Sequence, residues 1–378
     1  MTACIDTLDT PAAVIDVTRM QRNIQRMQAQ ADRLGVRLRP HVKTSKCAAV
    51  VEAQIAAGAQ GITVSTLKEA QAFFQQGITD ILYAVAMAPG KLTQALALRR
   101  AGCGLTIITD SVAGAKAITE FGRAQSESFE VFIEIDSDHH RSGVRSDDPV
   151  LVEIARILHT GGAVLKGVMT HAGESYSLNT LEALQAIAEL ERSECVKAAE
   201  AIRAAGLPCP EVSVGSTPTA LSALHLEGVT ELRAGVYVFF DLVMHNVGVC
   251  RLDELALSVL TTVIGHQAEK GWIITDSGWM AMSRDRGTQS QASDYGYGLV
   301  CDSAGELIEG LQLRSANQEH GVASFEKGQN VDIEQRFPIG TRLRVLPNHA
   351  CATGAQYSAY EALDERGEAR QWPRHNGW

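Results

Sequence analysis

Residues 36–43 alternate in character. Val36, Leu38 and Val42 fall on one side of an extended strand, and Arg37, Arg39, His41 and Lys43 fall on the other, because side chains two apart share a face. The apolar side suits packing against helices. Three cations and a histidine then face inward, which is unfavourable unless they are paired or used. Upstream, Met20, Ile24, Met27, Ala31 and Leu34 recur at helical spacing, and Gly35 stands where a helix would stop. Downstream, short apolar runs at 61–64, 81–86, 105–109, 130–136, 165–170, 211–214 and 232–238 are separated by helical stretches. Helix starts are signalled by Ser65-Thr66 ahead of Glu69, by Asp110-Ser111, and by Asn179 ahead of Glu182. With 36–43 the strands number eight, which predicts a (β/α)₈ TIM barrel over residues 20–248. Beyond about residue 250 the helical period fades into β-rich runs at 257–264, 272–276, 298–301, 311–313 and 341–346. These predict a second, mainly antiparallel β domain built from 249–378 together with 1–19.

A length of 378 residues fits this division, since a parallel barrel takes roughly 250 residues as one domain. A net charge of −10 without any Lys/Arg run excludes nucleic acid or an anionic membrane surface as partner. The start, Met1 to Asp6, lacks a leader pattern, and no apolar run reaches the length of a membrane span. Eight scattered cysteines suit reduced thiols. The expectation is a soluble cytoplasmic protein acting on a small molecule.

In a barrel of this kind the chemistry sits where strands end. Those ends carry Lys43, Ser65-Thr66, the 136–141 loop, His171 to Tyr176, Gly215-Ser216-Thr217 and Tyr237. An amine at a strand end can hold a carbonyl cofactor as a Schiff base. Across the mouth, Gly215-Ser216-Thr217 offers N–H groups and hydroxyls for a phosphate, although an ordinary capped turn reads the same way. Glu134 and Asp136 share a face with Phe132 and are expected to neutralise Arg39 and His41 inside the barrel. Arg141 is open between a phenolate oxygen and a substrate carboxylate, and His171 between a stacking ring and a core histidine. Lys46 reads as part of the first turn of the following helix. Finally, His349 and Cys351 stand two apart on strand-like backbone. Imidazole and thiolate so placed can grip one divalent ion, most naturally zinc, and leave positions open for water or substrate.

Five segments together carry a family resemblance: Leu8-Asp9-Thr10-Pro11-Ala12, Arg39-Pro40-His41-Val42-Lys43-Thr44, Gly215-Ser216-Thr217-Pro218, Glu319-His320-Gly321 and Pro347-Asn348-His349-Ala350-Cys351. The chain resembles the D-threonine aldolase and D-serine dehydratase family, alanine-racemase-like pyridoxal phosphate enzymes of fold type III, from residue 8 to the C-terminus. The resemblance implies that pyridoxal 5'-phosphate is carried on Lys43. Its phosphate is held by Gly215, Ser216 and Thr217 with the Gly235 to Tyr237 turn, Tyr176 approaches its pyridine nitrogen, and Arg141 and His171 line the site. His349 and Cys351 bind zinc, or else manganese, cobalt or magnesium, in a homodimer. The implied reaction is an ammonia-lyase reaction: dehydration of a β-hydroxy D-amino acid, such as 3-hydroxyaspartate or D-serine, to oxaloacetate or pyruvate and ammonia. The alternative is metal-dependent aldol cleavage to glycine and an aldehyde. Family aldolases tend to carry Asp at the position of Cys351, which favours dehydration.

Overall fold

The computed structural model describes residues 3–139, 141–326, 329 and 331–378. The chain forms two compact units, residues 25–235 with 377–378, and residues 1–24 with 236–376.

In the first unit eight parallel strands, β1 (Arg37–Leu38), β2 (Ile62–Val64), β3 (Asp80–Ala86), β4 (Gly104–Thr109), β5 (Glu130–Ile135), β6 (Val164–Thr170), β7 (Glu211–Val214) and β8 (Glu231–Leu232), pair in sequential order, with β8 beside β1. Seven helices follow the strands in turn: α1 (Ala48–Ala56), α2 (Leu67–Gln75), α3 (Leu92–Arg100), α4 (Val112–Gln125), α5 (Val150–Thr160), α6 (Leu181–Ala204) and α7 (Thr217–Ser222). Between β1 and β2 the barrel closes through Thr63 N–H to Pro40 O (2.8 Å) and Val42 N–H to Thr63 O (2.9 Å). The parallel barrel expected from the sequence is therefore present. Its first strand is regular only at Arg37–Leu38, but bonding to the eighth strand runs on without a break, from Arg39 N–H to Leu232 O (2.9 Å) and His41 N–H to Ala234 O (2.8 Å). The eighth strand was expected over 232–238, but past Gly235 residues Val236–Val238 wind into a 3₁₀ turn.

The alternation sorts as expected, with Leu38 and Val42 buried on the outer side and Arg39 buried on the inner. Its counter-charges are not the expected ones. Arg39 Nε donates to Glu231 (2.7 Å) and its Nη1 to Asp80 (2.8 Å), while Arg37 pairs with Glu211 (2.7 Å). Glu134 instead accepts from the Ser142 hydroxyl (3.1 Å), and Asp136 stands near His139. The reason is height along the barrel. Arg39 lies at the level where β8 and β3 begin, below the apolar layer of Leu82, Ile108, Phe132 and Met169, and Glu134 lies on the far side of Phe132. Glu231 is fully buried and also accepts from Ser213 Oγ (2.6 Å). Removing one partner of a buried pair leaves an uncompensated charge. Glu231→Ala should therefore lower unfolding free energy by about 3 kcal/mol, the lower end of that range because Asp80 remains, as read from the urea midpoint.

Helix starts follow the sequence signals. Thr66 accepts from Glu69 N–H and Ser111 from Gly114 N–H. On α6 the cap is Thr180, accepting from Ala183 N–H, and not Asn179, which lies one residue too early to reach that donor. Among the described residues no helix is long and apolar enough to cross a membrane.

The second unit is mainly antiparallel, as expected, with one parallel pairing between Ala12–Asp16 and Ala359–Leu363. β9 (Leu257–Gln267), β10 (Trp272–Thr275), β11 (Gly298–Asp302), β12 (Leu307–Ala316), β13 (Gly321–Phe325) and β14 (Arg342–Pro347) pair in the order β9-β10-β13-β12-β11-β14, and β14 returns to β9. The closed barrel has no free edge among these six strands. Val259, Val263, Ile273, Val300, Leu311, Leu313 and Val345 fill it. The long β9 also carries strand Ala12–Asp16. Residues 236–248, expected in the parallel barrel, group with this unit, where Asp241 and Phe239 bond to Ala350 and Ala256.

Candidate active site

In the first unit the strand ends place Lys43 in the exposed turn after the first strand. No salt bridge to Lys43 occurs among the described residues. Lys46 differs from expectation: it precedes α1 with φ +47°, and its ammonium lies 2.8 Å from Glu69 Oε1. The helix starts two residues later behind Cys47, and Lys46 is committed to an ion pair while Lys43 has none among the described residues.

Two imidazoles stand near Lys43. His171 Nδ1 meets Gly215 O at 3.1 Å, so Nδ1–H donates and Nε2 is the open acceptor. Burial, reinforced by the positive charge of Lys43, pushes His171 down to about 3. Burial first, then Lys43 and Arg233, hold His41 well below its ordinary value. Both rings are neutral at physiological pH. This makes His171 acid-labile. Its folded value lies below the ordinary 6.5, so the stability of the neutral form is fully present above pH 6.5 and is lost as pH falls toward 3, by about 1.4 kcal/mol per pH unit. His171→Gln should flatten the fall in urea midpoint between those limits, and an unchanged slope would remove His171 as its source.

Tyr176, in the 3₁₀ turn Gly173–Ser177, packs its ring 5.9 Å from that of His171. Arg141 is exposed, and its charge acts on both Glu134 and His171. Gly215 has φ +135°, and a Cβ there would collide with the Arg233 carbonyl; only glycine permits this approach. Gly235 sits as tightly, since its Cβ would lie 2.9 Å from His41 O. Ser216 is placed differently from expectation. Its hydroxyl already meets Ser175 Oγ (2.9 Å), Thr219 Oγ1 (2.9 Å) and Thr219 N–H (3.2 Å), and its own N–H donates to Thr219 Oγ1 (2.9 Å). That is a full complement for a hydroxyl, so Ser216 shapes the turn rather than presenting a free donor.

Two site residues escaped the sequence reading. Arg233, nearly fully buried, donates to Ser213 Oγ (2.7 Å) and Thr170 O (2.6 Å). Its parity with Glu231 could have found it. Glu191, on α6, accepts from Ala172 N–H (2.8 Å); nothing local marks it among the polar residues of a long helix. An amine with no ion-pair partner among the described residues, a glycine-built turn at a helix start and a flat neutral imidazole form a donor set that fits pyridoxal phosphate.

In the second unit Tyr237 is fully buried. His349 lies on extended backbone as expected (φ −135°, ψ 107°), at the N-cap position of the short helix Ala350–Gly354, but Cys351 is in that helix's first turn. The pair nevertheless meets, through a hydrogen bond between their side chains. His349 Nδ1 also bonds to Asp285 Oδ2 (2.6 Å). Burial opposes the imidazolium, but these two partners lift His349 to about 11. Asp241, buried beneath, accepts from Ala350 N–H (2.9 Å) and Met244 N–H (2.9 Å), and Asn348 is held by Gly296 O (2.7 Å) and Thr288 (2.9 Å). With Nδ1 held by a carboxylate, the imidazole has the orientation that metal-binding histidines adopt, and a thiol stands beside it. This donor pair fits a zinc-like divalent ion. Asp285 and Asp241 were not legible in the sequence.

Residues 15–243 match the alanine racemase N-terminal domain. The chain belongs to that family. Residues 256–363 match the putative serine dehydratase domain. This alanine racemase family member is 67% identical over 374 residues, 98% of each chain, to D-threo-3-hydroxyaspartate dehydratase of Delftia sp. (strain HT23). A solved structure of a cysteine-to-alanine mutant of D-threo-3-hydroxyaspartate dehydratase, in the metal-free form, covers 100% of both chains at 66% identity with a TM-score of 0.99. A 3-hydroxy-D-aspartate aldolase of Paracoccus denitrificans (strain Pd 1222) is 26% identical over 376 residues, 97% of this chain and 91% of that one.

Proposed function

We propose that this chain is a pyridoxal-phosphate- and divalent-metal-dependent ammonia-lyase that dehydrates D-threo-3-hydroxyaspartate, and related 3-hydroxyaspartates or D-serine, to oxaloacetate or pyruvate and ammonia. The full-length likeness at 67% identity to a dehydratase of that substrate carries the reading. Bound in the protein, the cofactor ring withdraws electrons from Cα and the metal polarises the departing β-hydroxyl. Lys43 would hold the cofactor's carbonyl carbon, and its amine would move the Cα proton of the substrate. Gly215, Ser216 and Thr217 with Gly235 and Tyr237 hold the phosphate, and the Ser216 side chain also fixes the turn that presents it. His171 offers a neutral face, Tyr176 serves the pyridine nitrogen, and Arg141 supplies a cation for a phenolate or carboxylate oxygen. His349 and Cys351 hold the metal, with zinc favoured by a thiolate-imidazole pair. The reading includes a homodimer. It also places the chain in the cytoplasm, in keeping with eight cysteines outside any disulfide, of which burial pushes several up and keeps them protonated.

Aldol cleavage would use the same lysine and metal but break Cα–Cβ. Incubation of metal-loaded protein with D-threo-3-hydroxyaspartate separates the two. Oxaloacetate with equimolar ammonia is the expected outcome, and glycine with glyoxylate would sink the dehydratase reading.

A further inference from the structure

We infer that Glu191 is a positioning residue for the phosphate-binding turn, acting through a chain of buried hydrogen bonds; this rests on the reading that residues 215–217 hold the cofactor's phosphate. Glu191 Oε1 accepts from Ala172 N–H at 2.8 Å, and Ala172 O accepts from Ser175 Oγ at 2.7 Å. Ser175 Oγ meets Ser216 Oγ at 2.9 Å, which meets Thr219 Oγ1 at 2.9 Å. Each of the five is at most 2% exposed. The chain of bonds ties α6 and the loop after β6, which carries His171, to the turn after β7.

Ser175 spends its one proton on Ala172 O, so Ser216 donates to Ser175. Burial raises the Glu191 carboxyl to about 7. A glutamine at 191 keeps an oxygen to accept from Ala172 N–H, whereas alanine leaves that buried donor unpaired.

The test titrates the cofactor-depleted full chain with pyridoxal phosphate and separately with pyridoxal, following visible absorbance, with a thermal melt of each variant. Glu191→Ala should weaken pyridoxal phosphate binding about tenfold, while pyridoxal binding moves by less than about twofold. Glu191→Gln should restore the wild-type value. If Glu191→Ala does not yield folded protein, Thr219→Val removes the neighbouring link and should show the same selective loss. Equal loss for both ligands, no loss for either, or a Glu191→Gln as impaired as Glu191→Ala overturns the proposal. Wild-type protein that binds the two ligands equally well would instead refute the phosphate assignment of residues 215–217.

Discussion

Lys43→Ala abolishes the visible absorbance of the lysine-bound cofactor and lowers turnover of D-threo-3-hydroxyaspartate by at least about 10⁴-fold, because it removes both the covalent attachment point and the Cα base. The structure sharpens this expectation. Lys43 is an exposed amine without a carboxylate partner among the described residues, beside two neutral imidazoles, whereas the nearby Lys46 is tied to Glu69. The measurement is an absorbance spectrum of the purified variant together with a coupled oxaloacetate assay. A variant that kept the visible band would move the attachment to Lys46, and Lys46→Ala should otherwise leave the band in place.

Cys351→Ala has the second largest expected effect. Loss of the thiolate leaves His349 as the one member of the pair, so bound metal per chain should fall sharply by elemental analysis. Turnover should fall on the order of 10³-fold, the equivalent of several kcal/mol of Lewis-acid stabilisation at a poor leaving group. Chelation of the wild-type protein should reproduce the loss and added zinc should reverse it; the variant should not recover. Wild-type metal content and turnover in Cys351→Ala would remove the thiolate from the reaction. The surrounding geometry makes local unfolding an unsuitable explanation of a loss, since the flanking backbone is pinned independently at Ala350 by Asp241 and at Asn348 by Gly296 and Thr288.

Much of this was legible in the chain because it rests on local periodicity. Alternation at 36–43 put Arg39 inside, and helical and strand periods counted out eight strands and then changed texture near residue 250. Cap signals at Thr66 and Ser111 sat where the helices begin. The misreadings share a cause. Glu134 was assigned to Arg39 because parity gives a face but no height along the barrel axis. Cys351 was read on extended backbone with His349, which is extended, because a strand that ends in a helix turn has the same local sequence up to its last residue. Ser216 looked like a phosphate donor because the hydroxyls that occupy it come from Ser175, on another strand's loop, and Thr219.

The sequence by itself determined which elements form and which residue types stand at strand ends: a lysine, a glycine turn, and a histidine two residues from a cysteine. Only the tertiary structure decided the partners. Arg39 finds Asp80 and Glu231, 41 and 192 residues away. Asp285 reaches His349 across 64 residues, and Asp241 reaches Ala350 across 109. Barrel closure brings such pairs together by fixing strand order and stagger, which are collective properties of all the strands. No window of sequence short enough to show periodicity contains them.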